Sequence, residues 1–526
     1  MNIVNPILPG FHPDPCILRH QDFYYIATST FEWFPAIALY QSKDLIHWQS
    51  IGHVLDRPEQ IDMRGLGSSE GVWAPDLTYC EDDGYFYISY TLMHNWSYDG
   101  PRDMHNYVTR SRSIEGPWSI PVKIDSGGID PALFFDEDGR TYWMRNQWEY
   151  RAGFDHFAGI VMQEFDRTSL RVVGEKKTVF AGTGLGKVEG PHVYKRDGYY
   201  YLLTAEGGTF FDHAVSLARS RSIWGPYEIH PENPVMSSQL EPNHPLQKVG
   251  HASLVQAHDG SWYLSYLCGR PLPSRGRCIL GREAALERVV WADDGWLYRS
   301  EPGKAPSVVV QAPNGDEHKW EELPAKDDFD EPKLRTSYQF LRSHMDERYC
   351  TLTERPGYLR LRGRQSPTSR IDQSLVARRQ TSFVYEASTC MEFDPRNPNQ
   401  LAGLIAFYDH QHFFYLTKTN IDGPCLTLYC ADRGRWIEPI DVVPIDDGPI
   451  HLKARMRYDK LRFAYSMDGE AWSDIGPLMD SSILSDDYLI PVHFTGAFIG
   501  ICANDLDGTE IIADFDYFTY EDMLNV

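Results

Sequence analysis

The sequence predicts an all-β protein in which a five-bladed β-propeller is followed by a β-sandwich. Three observations lead to this prediction: a pattern that recurs five times at intervals of about 60 residues, short aromatic strands that follow turn signals, and almost no helical periodicity between them. The chain has 526 residues, which is more than one ordinary domain holds, so at least two hydrophobic cores are expected.

Each repeat opens with a short strand, and four of the five openings contain a proline. The openings read Asp14-Pro-Cys, Ala74-Pro-Asp, Asp130-Pro-Ala, Gly190-Pro-His and His251-Ala-Ser. An aromatic strand follows, and in four repeats it is preceded by Asp-Gly, which favours a tight hairpin turn with positive φ at both central residues. One repeat has room for about four strands, the unit of a propeller blade. A sandwich built from the same hairpins is the alternative, and the regular spacing argues against it.

The second part of the chain has a different organisation. From Asp316 to Pro332 the sequence is polar and charged, which predicts a linker. Beyond it polar and apolar residues alternate again, as in Tyr358-Leu-Arg-Leu-Arg, but the repeat does not continue. We therefore expect a propeller domain over residues 1–322 and a β-sandwich domain over residues 323–526.

The charge of the chain restricts its partners. The formal net charge is −24, so the long-range field repels nucleic acids and anionic membrane surfaces, and neither is an expected partner. Residues Met1 to Pro13 lack the features of a signal peptide, and the nine cysteines include no CxxC pair, so neither a disulfide framework nor a zinc site is predicted. These observations together predict a cytoplasmic location.

The repeat also predicts a functional site. The first strand of each propeller blade lines the central channel, so residues at the strand starts meet at one end of the channel. Asp14, Asp130 and His251 precede the aligned proline column directly, and Trp73 and Glu189 stand one position earlier. An acid beside proline or glycine is often only a turn residue. Three acids within one position of the same column are harder to explain in that way.

Acids that converge in a concave site predict acid–base chemistry. Crowded carboxyl groups repel one another, and the repulsion raises the pKa of at least one of them. An acid and a base then coexist near neutral pH, and hydrolysis of a glycosidic bond requires that combination. Asp14, Asp130 and Glu189 are therefore the candidate catalytic residues, and a neutral sugar is a substrate that the acidic chain does not repel.

The sequences around these acids, Pro13-Asp-Pro, Gly128-Ile-Asp-Pro and Glu189-Gly-Pro, resemble glycoside hydrolase family 43, and most closely its two-domain β-xylosidases. The resemblance covers essentially the whole chain. It includes Trp73-Ala-Pro-Asp, Thr204-Ala-Glu-Gly-Gly-Thr, Gly250-His-Ala-Ser, Gly269-Arg-Pro-Leu-Pro and Leu280-Gly-Arg-Glu.

This resemblance implies roles for the three acids. Asp14 is the expected general base, Glu189 the expected general acid, and Asp130 the residue that positions Glu189 and raises its pKa. The implied enzyme is exo-acting and inverting, and it releases xylose from the non-reducing ends of β-1,4-xylooligosaccharides. No cofactor is expected to be required, and the resemblance further implies a homo-oligomer, either a tetramer or a dimer.

The resemblance also implies substrate-binding residues. Arg282 is expected to contact the sugar and to keep the base ionised, although a surface strand position is the plainer interpretation. Phe31, Trp73 and Trp148 are expected to form an apolar pocket wall, and each could instead belong to the core of a blade. His251 is expected to be a hydrogen-bonded structural residue of the channel, with a hydrogen bond beneath the sugar or a divalent cation such as calcium as the alternatives.

The second domain is expected to complete the pocket. The segment Val492-His-Phe-Thr-Gly-Ala-Phe, which contains Phe494, resembles the part of a concanavalin-like second domain that covers one side of the active site in two-domain relatives. Such a cover would leave room for few sugar units, which favours release from chain ends.

Three other functions fit parts of this pattern. An α-L-arabinofuranosidase is the nearest, because the same family carries both activities on one site. Fructan and sucrose hydrolases share the architecture, but their Asn-Asp-Pro-Asn, Arg-Asp-Pro and Glu-Cys signatures differ from those of this chain. A non-catalytic carbohydrate-binding protein is the alternative of another class, because fold alone does not fix function.

Overall fold

The computed structural model of the protein describes residues 1–96, 101–273, 276–438, 442–488 and 493–524. In these ranges the regular structure is almost entirely β, and the helices are two 3-10 turns, Ser481–Ile483 and Asp486–Tyr488. The all-β prediction is confirmed. No helix in the same ranges has the length and apolar character needed to cross a membrane.

Over the described residues, five antiparallel sheets of four strands form the propeller, and their innermost strands contact one another in a closed ring. From the innermost strand outward, blade 1 contains Cys16–His20, Phe23–Thr28, Ala36–Ser42 and Gln49–Leu55, and blade 2 contains Gly71–Cys80, Tyr85–Asn95, Asp103–Ser111 and Val122–Ser126. Blade 3 contains Ala132–Phe135, Thr141–Trp148, Phe157–Asp166 and Arg171–Phe180, and blade 4 contains Glu189–Arg196, Tyr199–Glu206, Ala214–Ser220 and Glu228–Ile229. Blade 5 contains Gln247–Gln256, Trp262–Gly269, Glu283–Trp291 and Leu297–Arg299. The pair Asn2–Val4 and Val309–Gln311 joins the two ends of the propeller. The predicted five-bladed propeller is confirmed.

The Asp-Gly turns differ from the prediction in three of the four repeats. Among the four aspartates only Asp197 has a positive φ, of 49°, and only the Asp197-Gly198 turn has the predicted pair of positive φ angles. In the other three turns the aspartate carboxylate accepts a hydrogen bond from the backbone amide two residues later, as in Tyr85 N to Asp83 Oδ1 at 3.1 Å. The side chain therefore stabilises a longer loop, which Asp-Gly also favours.

The second domain is a sandwich of two sheets, which contain eight and seven strands among the described residues. The first sheet contains Lys326–Asp327, Cys350–Thr351, Leu359–Arg362, Val384–Phe393, Ile450–Arg457, Lys460–Ser466, Ser473–Asp480 and Ile512–Asp522. The second contains Ser374–Arg379, Gln400–Asp409, His412–Asn420, Pro424–Asp432, Arg435–Ile437, Val443–Pro444 and Phe498–Asp505. Apolar side chains of both sheets, including Leu361, Leu404 and Phe463, form one buried core.

The predicted linker is shorter than the polar sequence indicated. Lys326–Asp327 is a strand that pairs with residues 518–519 of the sandwich, and Phe329 is buried in the sandwich core. Asp327 accepts a hydrogen bond from the Phe329 amide and pairs with Arg335 at 3.2 Å. A run of charged residues therefore need not be a loop when its side chains have partners inside the fold.

The two domains pack against each other beside the predicted site. The strand Phe340–Leu341 pairs with Trp33–Phe34, a short strand in the connection between the second and third strands of blade 1. Trp33 stacks on Phe498 of the sandwich, with a distance of 3.7 Å between ring centroids. One apolar cluster contains residues of both domains, including Phe31 and Trp73 of the propeller and Phe498 of the sandwich. The sandwich thus covers part of the end of the propeller where the repeat openings meet.

Candidate active site

The five aligned positions of the repeat share a backbone conformation. Their φ angles are 55° at Asp14, 43° at Ala74, 57° at Asp130, 57° at Gly190 and 50° at His251. Left-handed backbone is uncommon for residues other than glycine, although Asp and His tolerate it better than most. In blades 2, 4 and 5 the strand register also shifts at this point. The same turn in every blade brings the strand starts together at one cavity.

A cavity of about 260 Å³ lies at this end of the propeller. All nine residues predicted for the site line it, namely Asp14, Phe31, Trp73, Asp130, Trp148, Glu189, His251, Arg282 and Phe494. Sites for drug-sized ligands usually measure roughly 300–1,000 Å³. The cavity is therefore suited to a small ligand such as a monosaccharide unit.

Asp14 is buried and held as a carboxylate. Its Oδ2 accepts a hydrogen bond of 2.6 Å from Ser29 Oγ, and its Oδ1 lies 3.4 Å from both Arg282 Nη1 and His251 Nδ1. Burial alone would raise the pKa of Asp14, but Arg282, His251 and the hydrogen bond from Ser29 outweigh burial, and the pKa is lowered. Asp14 is therefore ionised near neutral pH and can accept a proton.

Glu189 has the opposite tendency. It is the first residue of the innermost strand of blade 4, where it pairs with Ala205. Burial, followed by the negative charge of Asp14, raises the pKa of Glu189 to about 8. The neighbouring Gly190 has φ 57°, and a Cβ there would lie 3.0 Å from the His251 ring, so glycine suits this position. Glu189 is therefore protonated near neutral pH and can donate a proton.

Asp130 contacts the backbone beside Glu189. Its Oδ2 accepts a hydrogen bond of 3.0 Å from Gly190 N, and burial, Glu189 and Asp14 raise its pKa well above the ordinary value. The main causes of the raised pKa of Glu189 are burial and Asp14. The direct contact of Asp130 is thus one that orients the backbone at Glu189.

Arg282 is a buried cation of the cavity and does not lie on a surface strand. Its guanidinium donates to Asp14 Oδ1 at 3.4 Å, to Thr209 Oγ1 at 3.4 Å and to the carbonyl oxygen of Phe494 at 3.0 Å. It also lies 5.1 Å from the centre of the Phe31 ring. These contacts link the base, the apolar wall and the second domain.

The aromatic residues form the wall and also belong to the packed interior. Phe31 and Trp73 contact each other, with 5.4 Å between ring centroids. Trp148 is 3% exposed, stacks on His156 at 5.2 Å and carries the Arg102 guanidinium 3.7 Å from its ring centre. The two interpretations of Trp148, pocket wall and core, are therefore compatible.

Phe494 is the described residue of the second domain that lines the cavity, and together with its neighbour His493 it is called here the sandwich wall. The Phe494 amide donates to Ser69 Oγ at 2.7 Å, and its ring lines the cavity. His493 Nδ1 forms a hydrogen bond of 2.8 Å with Asp409 Oδ2. Val492, the first residue of the predicted covering segment, lies outside the described residues.

Asp409 anchors the sandwich wall. It is 1% exposed and forms a second hydrogen bond of 2.8 Å with His412 Nδ1. Burial opposes protonation of His493, but Asp409 outweighs burial and raises the pKa of His493. A protonated His493 beside an ionised Asp409 is a charge-assisted contact, which is stronger than a neutral hydrogen bond.

His251 lines the cavity beside Asp14 and is uncharged, because burial lowers its pKa to about 4. Among the described residues, the carboxylate within 4 Å of a ring nitrogen of His251 is that of Asp14. Calcium takes six to eight oxygen ligands. A calcium ion beside His251 would therefore depend largely on water, and its presence stays a prediction.

Sequence reasoning missed several residues that line the cavity: Trp96, Arg102, His156, Phe157, Lys187, Thr209, Phe210 and His213. Thr209 is the last residue of the motif Thr204-Ala-Glu-Gly-Gly-Thr, so the sequence contained a motif from which Thr209 could have been identified. His213 is in no motif. It is buried, its Nδ1 bonds to the carbonyl oxygen of Lys248 at 3.1 Å, and its Nε2 has no partner among the described residues. Burial lowers the pKa of His213 to about 3, so Nε2 is an available acceptor.

Comparison with known families agrees with this geometry. The family model of glycosyl hydrolases family 43 matches residues 3–297. The model of the β-xylosidase C-terminal concanavalin A-like domain matches residues 326–521. The three acids lie in the first match and the sandwich wall in the second.

Individual proteins resemble the chain over its whole length. It is 44% identical to a xylan 1,3-β-xylosidase of a Vibrio species, over 98% of this chain and 99% of that protein. It is also 44% identical to a xylosidase/arabinosidase of Humicola insolens, over 98% and 97% of the two chains. The crystal structure of a xylan β-1,4-xylosidase from Bacillus halodurans C-125 superposes with a TM-score of 0.97 at 46% identity and covers 99% of this chain and all of that one. The chain therefore belongs to family 43 of the glycosyl hydrolases.

Proposed function

We propose that the protein is an exo-acting, inverting β-xylosidase that releases xylose from the non-reducing ends of xylooligosaccharides. One observation carries the proposal: a single small cavity contains Glu189, whose raised pKa favours the protonated form, and Asp14, whose lowered pKa favours the carboxylate. Hydrolysis of a glycosidic bond needs an acid and a base in these two states.

In the proposed reaction Glu189 donates its proton to the glycosidic oxygen while the bond to the anomeric carbon breaks. Asp14 accepts a proton from the water molecule that attacks the opposite face of that carbon. The attack is direct, so the anomeric configuration inverts and a β-xyloside releases α-xylose. Exchange with solvent then returns the proton to Glu189 and removes it from Asp14.

The surrounding residues support these roles. Arg282 and Ser29 keep Asp14 ionised through the contacts described above. Asp130 holds the Gly190 amide and thereby orients Glu189. The sandwich wall limits the cavity on one side, which supports recognition of a chain end and argues against cleavage in the middle of a polymer.

A nuclear magnetic resonance time course of xylobiose hydrolysis tests the proposal. We expect α-xylose to appear first, followed by slow conversion to the equilibrium mixture of anomers. Parallel reactions with β-1,4- and β-1,3-linked xylobiose establish the linkage, because the similar proteins carry both linkages in their names. Initial release of β-xylose, or no hydrolysis of either disaccharide, contradicts the proposal.

An α-L-arabinofuranosidase is the second candidate, supported by the name of the Humicola insolens protein. Relative kcat/KM values on aryl β-xyloside and aryl α-arabinofuranoside decide between the two. A higher value on the arabinofuranoside reverses the order of the candidates. A non-catalytic binding protein would bind xylobiose and leave it intact. The homo-oligomer and the cytoplasmic location also stay proposals.

A further inference from the structure

A second cavity, of about 410 Å³, continues the propeller channel beyond the active site. All five innermost strands line it, with residues that follow the site residues along each strand. The exposed residues Arg19 and Gln256 lie at its rim, so solutes can reach it from the side opposite the active site. None of the residues assigned to substrate above lines this cavity.

Three potential metal ligands meet on the wall of this cavity. Cys16, Asp76 and His192 come from blades 1, 2 and 4, and each provides a ligand atom within 4.8 Å of the other two. Cys16 Sγ lies 3.6 Å from Asp76 Oδ1, and His192 Nδ1 lies 3.3 Å from the same oxygen. Among the residues that the structure describes, no other three His, Cys, Asp or Glu side chains have ligand atoms this close together.

The two distances to Asp76 Oδ1 agree with the edges of a tetrahedral zinc site. With Zn–S of about 2.3 Å and Zn–N and Zn–O of about 2.1 Å, tetrahedral angles separate sulfur from oxygen by about 3.6 Å and nitrogen from oxygen by about 3.4 Å. A hydrogen bond between ionised partners usually measures about 2.7–2.9 Å. The distance of 3.3 Å between His192 and Asp76 is long for such a bond and suits two ligands of one ion.

Surrounding hydrogen bonds orient the ligands in the way that metal sites require. The Leu133 amide donates to Asp76 Oδ2 at 2.9 Å, which leaves Oδ1 directed toward the cysteine and the histidine. The Leu77 amide donates to Cys16 Sγ at 3.2 Å, a contact that helps to hold the sulfur in place. Partners of this kind fix ligand orientation and tune metal affinity.

We propose that Cys16, Asp76 and His192 bind one divalent transition-metal ion, of which zinc fits best, in the propeller channel behind the active site. Sulfur, imidazole and carboxylate are the ligand set of zinc, whereas calcium requires oxygen ligands. A water molecule from the cavity supplies the fourth ligand, and the thiol proton leaves to solvent when sulfur coordinates. The ion ties together three innermost strands, so it stabilises the folded chain.

The spacing of these residues along the sequence could not reveal the site. Cys16, Asp76 and His192 are separated by whole blades, and zinc signatures in sequence depend on short intervals between ligands. The expectation that the chain has no zinc site came from that local criterion. The closed ring of strands brings the three residues together.

Titration of the metal-free full-length protein with cobalt chloride and with zinc chloride tests the proposal. We expect one cobalt ion per chain with the near-ultraviolet absorption of a cobalt–thiolate bond, displacement of cobalt by zinc, and a higher Tm with zinc. The variant Cys16→Ser should lose that absorption, and His192→Gln should weaken zinc binding by more than about tenfold. Cys430→Ser, which changes a buried thiol of the sandwich, is the matched control and should bind as the unchanged protein does.

The outcomes separate clearly. Absence of the thiolate absorption in the unchanged protein, or its persistence in Cys16→Ser, overturns the proposal. Zinc affinity that is equal in the unchanged protein and in His192→Gln also overturns it. Far-ultraviolet circular dichroism establishes that each variant is folded, and the paired variants keep the test valid if one of them fails to fold. The experiment measures metal binding, so its result does not depend on whether the protein hydrolyses xylosides.

Discussion

The three acids and the sandwich wall enclose the same cavity, but they are built in different ways. Asp14, Asp130 and Glu189 are brought together by a backbone turn that every blade repeats. Phe494 reaches the cavity through a separate domain, held by Ser69, Arg282 and the neighbouring contact of His493 with Asp409. The repeated blade structure thus positions the acids, whereas contact between the two domains closes one side of the cavity.

The difference suggests a division of tasks. The acids determine which groups carry protons, and the wall determines which ligands fit and how tightly they bind. Changes among the acids should therefore lower the rate of the chemical step. Changes in the wall should mainly weaken substrate binding.

The largest effect is expected for Asp14→Ala. Loss of the base removes activation of water for every substrate, so kcat/KM should fall by about 10²–10⁴ on xylobiose and on an aryl β-xyloside alike. Initial rates on both substrates measure this effect. Ser29→Ala removes a hydrogen bond to Asp14 but keeps the base, and it should retain much more activity. Retained turnover in Asp14→Ala would remove that residue from the role of base.

For Glu189→Ala the loss should depend on the leaving group. Xylobiose needs a proton on the departing oxygen, so its hydrolysis should slow by about 10²–10⁴. An aryl xyloside with an acidic phenol needs little assistance and should lose much less. Rates on the two substrates, with Tm as the control for folding, test this prediction. Equal losses on both would contradict assignment of Glu189 as the acid.

Phe494→Ala tests the sandwich wall. Burial of a phenylalanine side chain contributes about 1.5–3 kcal/mol, and 1.4 kcal/mol corresponds to a factor of about ten in affinity. We expect KM for xylobiose to rise by about tenfold, while kcat changes much less. Trp436→Ala, at a residue of the same domain that is 45% exposed and lies outside the cavity, is the control. A fall in kcat at constant KM would show that the division of tasks is wrong.

The smallest effect is a shift in pH dependence. Activity should fall as pH rises through about 8, where Glu189 loses its proton, and as pH falls through the lowered pKa of Asp14. Arg282 lowers both pKa values, so Arg282→Met should move both limbs of the kcat/KM profile to higher pH. Arg102 also lowers the pKa of Glu189, and Arg102→Met should move mainly the basic limb. An acid limb that stays in place in Arg282→Met contradicts the predicted role of Arg282.

Sequence reasoning placed Asp14, Trp73, Asp130, Glu189 and His251 in one cavity because the repeat aligns equivalent positions of different blades. The other four predicted residues, Phe31, Trp148, Arg282 and Phe494, were assigned to the cavity through the family resemblance. It was less successful where side chains decide the local conformation. The Asp-Gly turns were assigned one turn type, but three of the four aspartates cap a longer loop instead. His213 gave no signal, because it belongs to no repeat position and reaches the cavity only through packing beside Gly250.

By itself the sequence determined the architecture, the family and the convergence of three acids, because the repeat and the short motifs are visible in the order of residues along the chain. Tertiary structure alone decided the proton affinities of these acids, because burial and the positions of Arg282 and Asp14 depend on the assembled ring of blades. It also decided the sandwich wall and the meeting of Cys16 with His192, since both join segments that lie far apart along the chain.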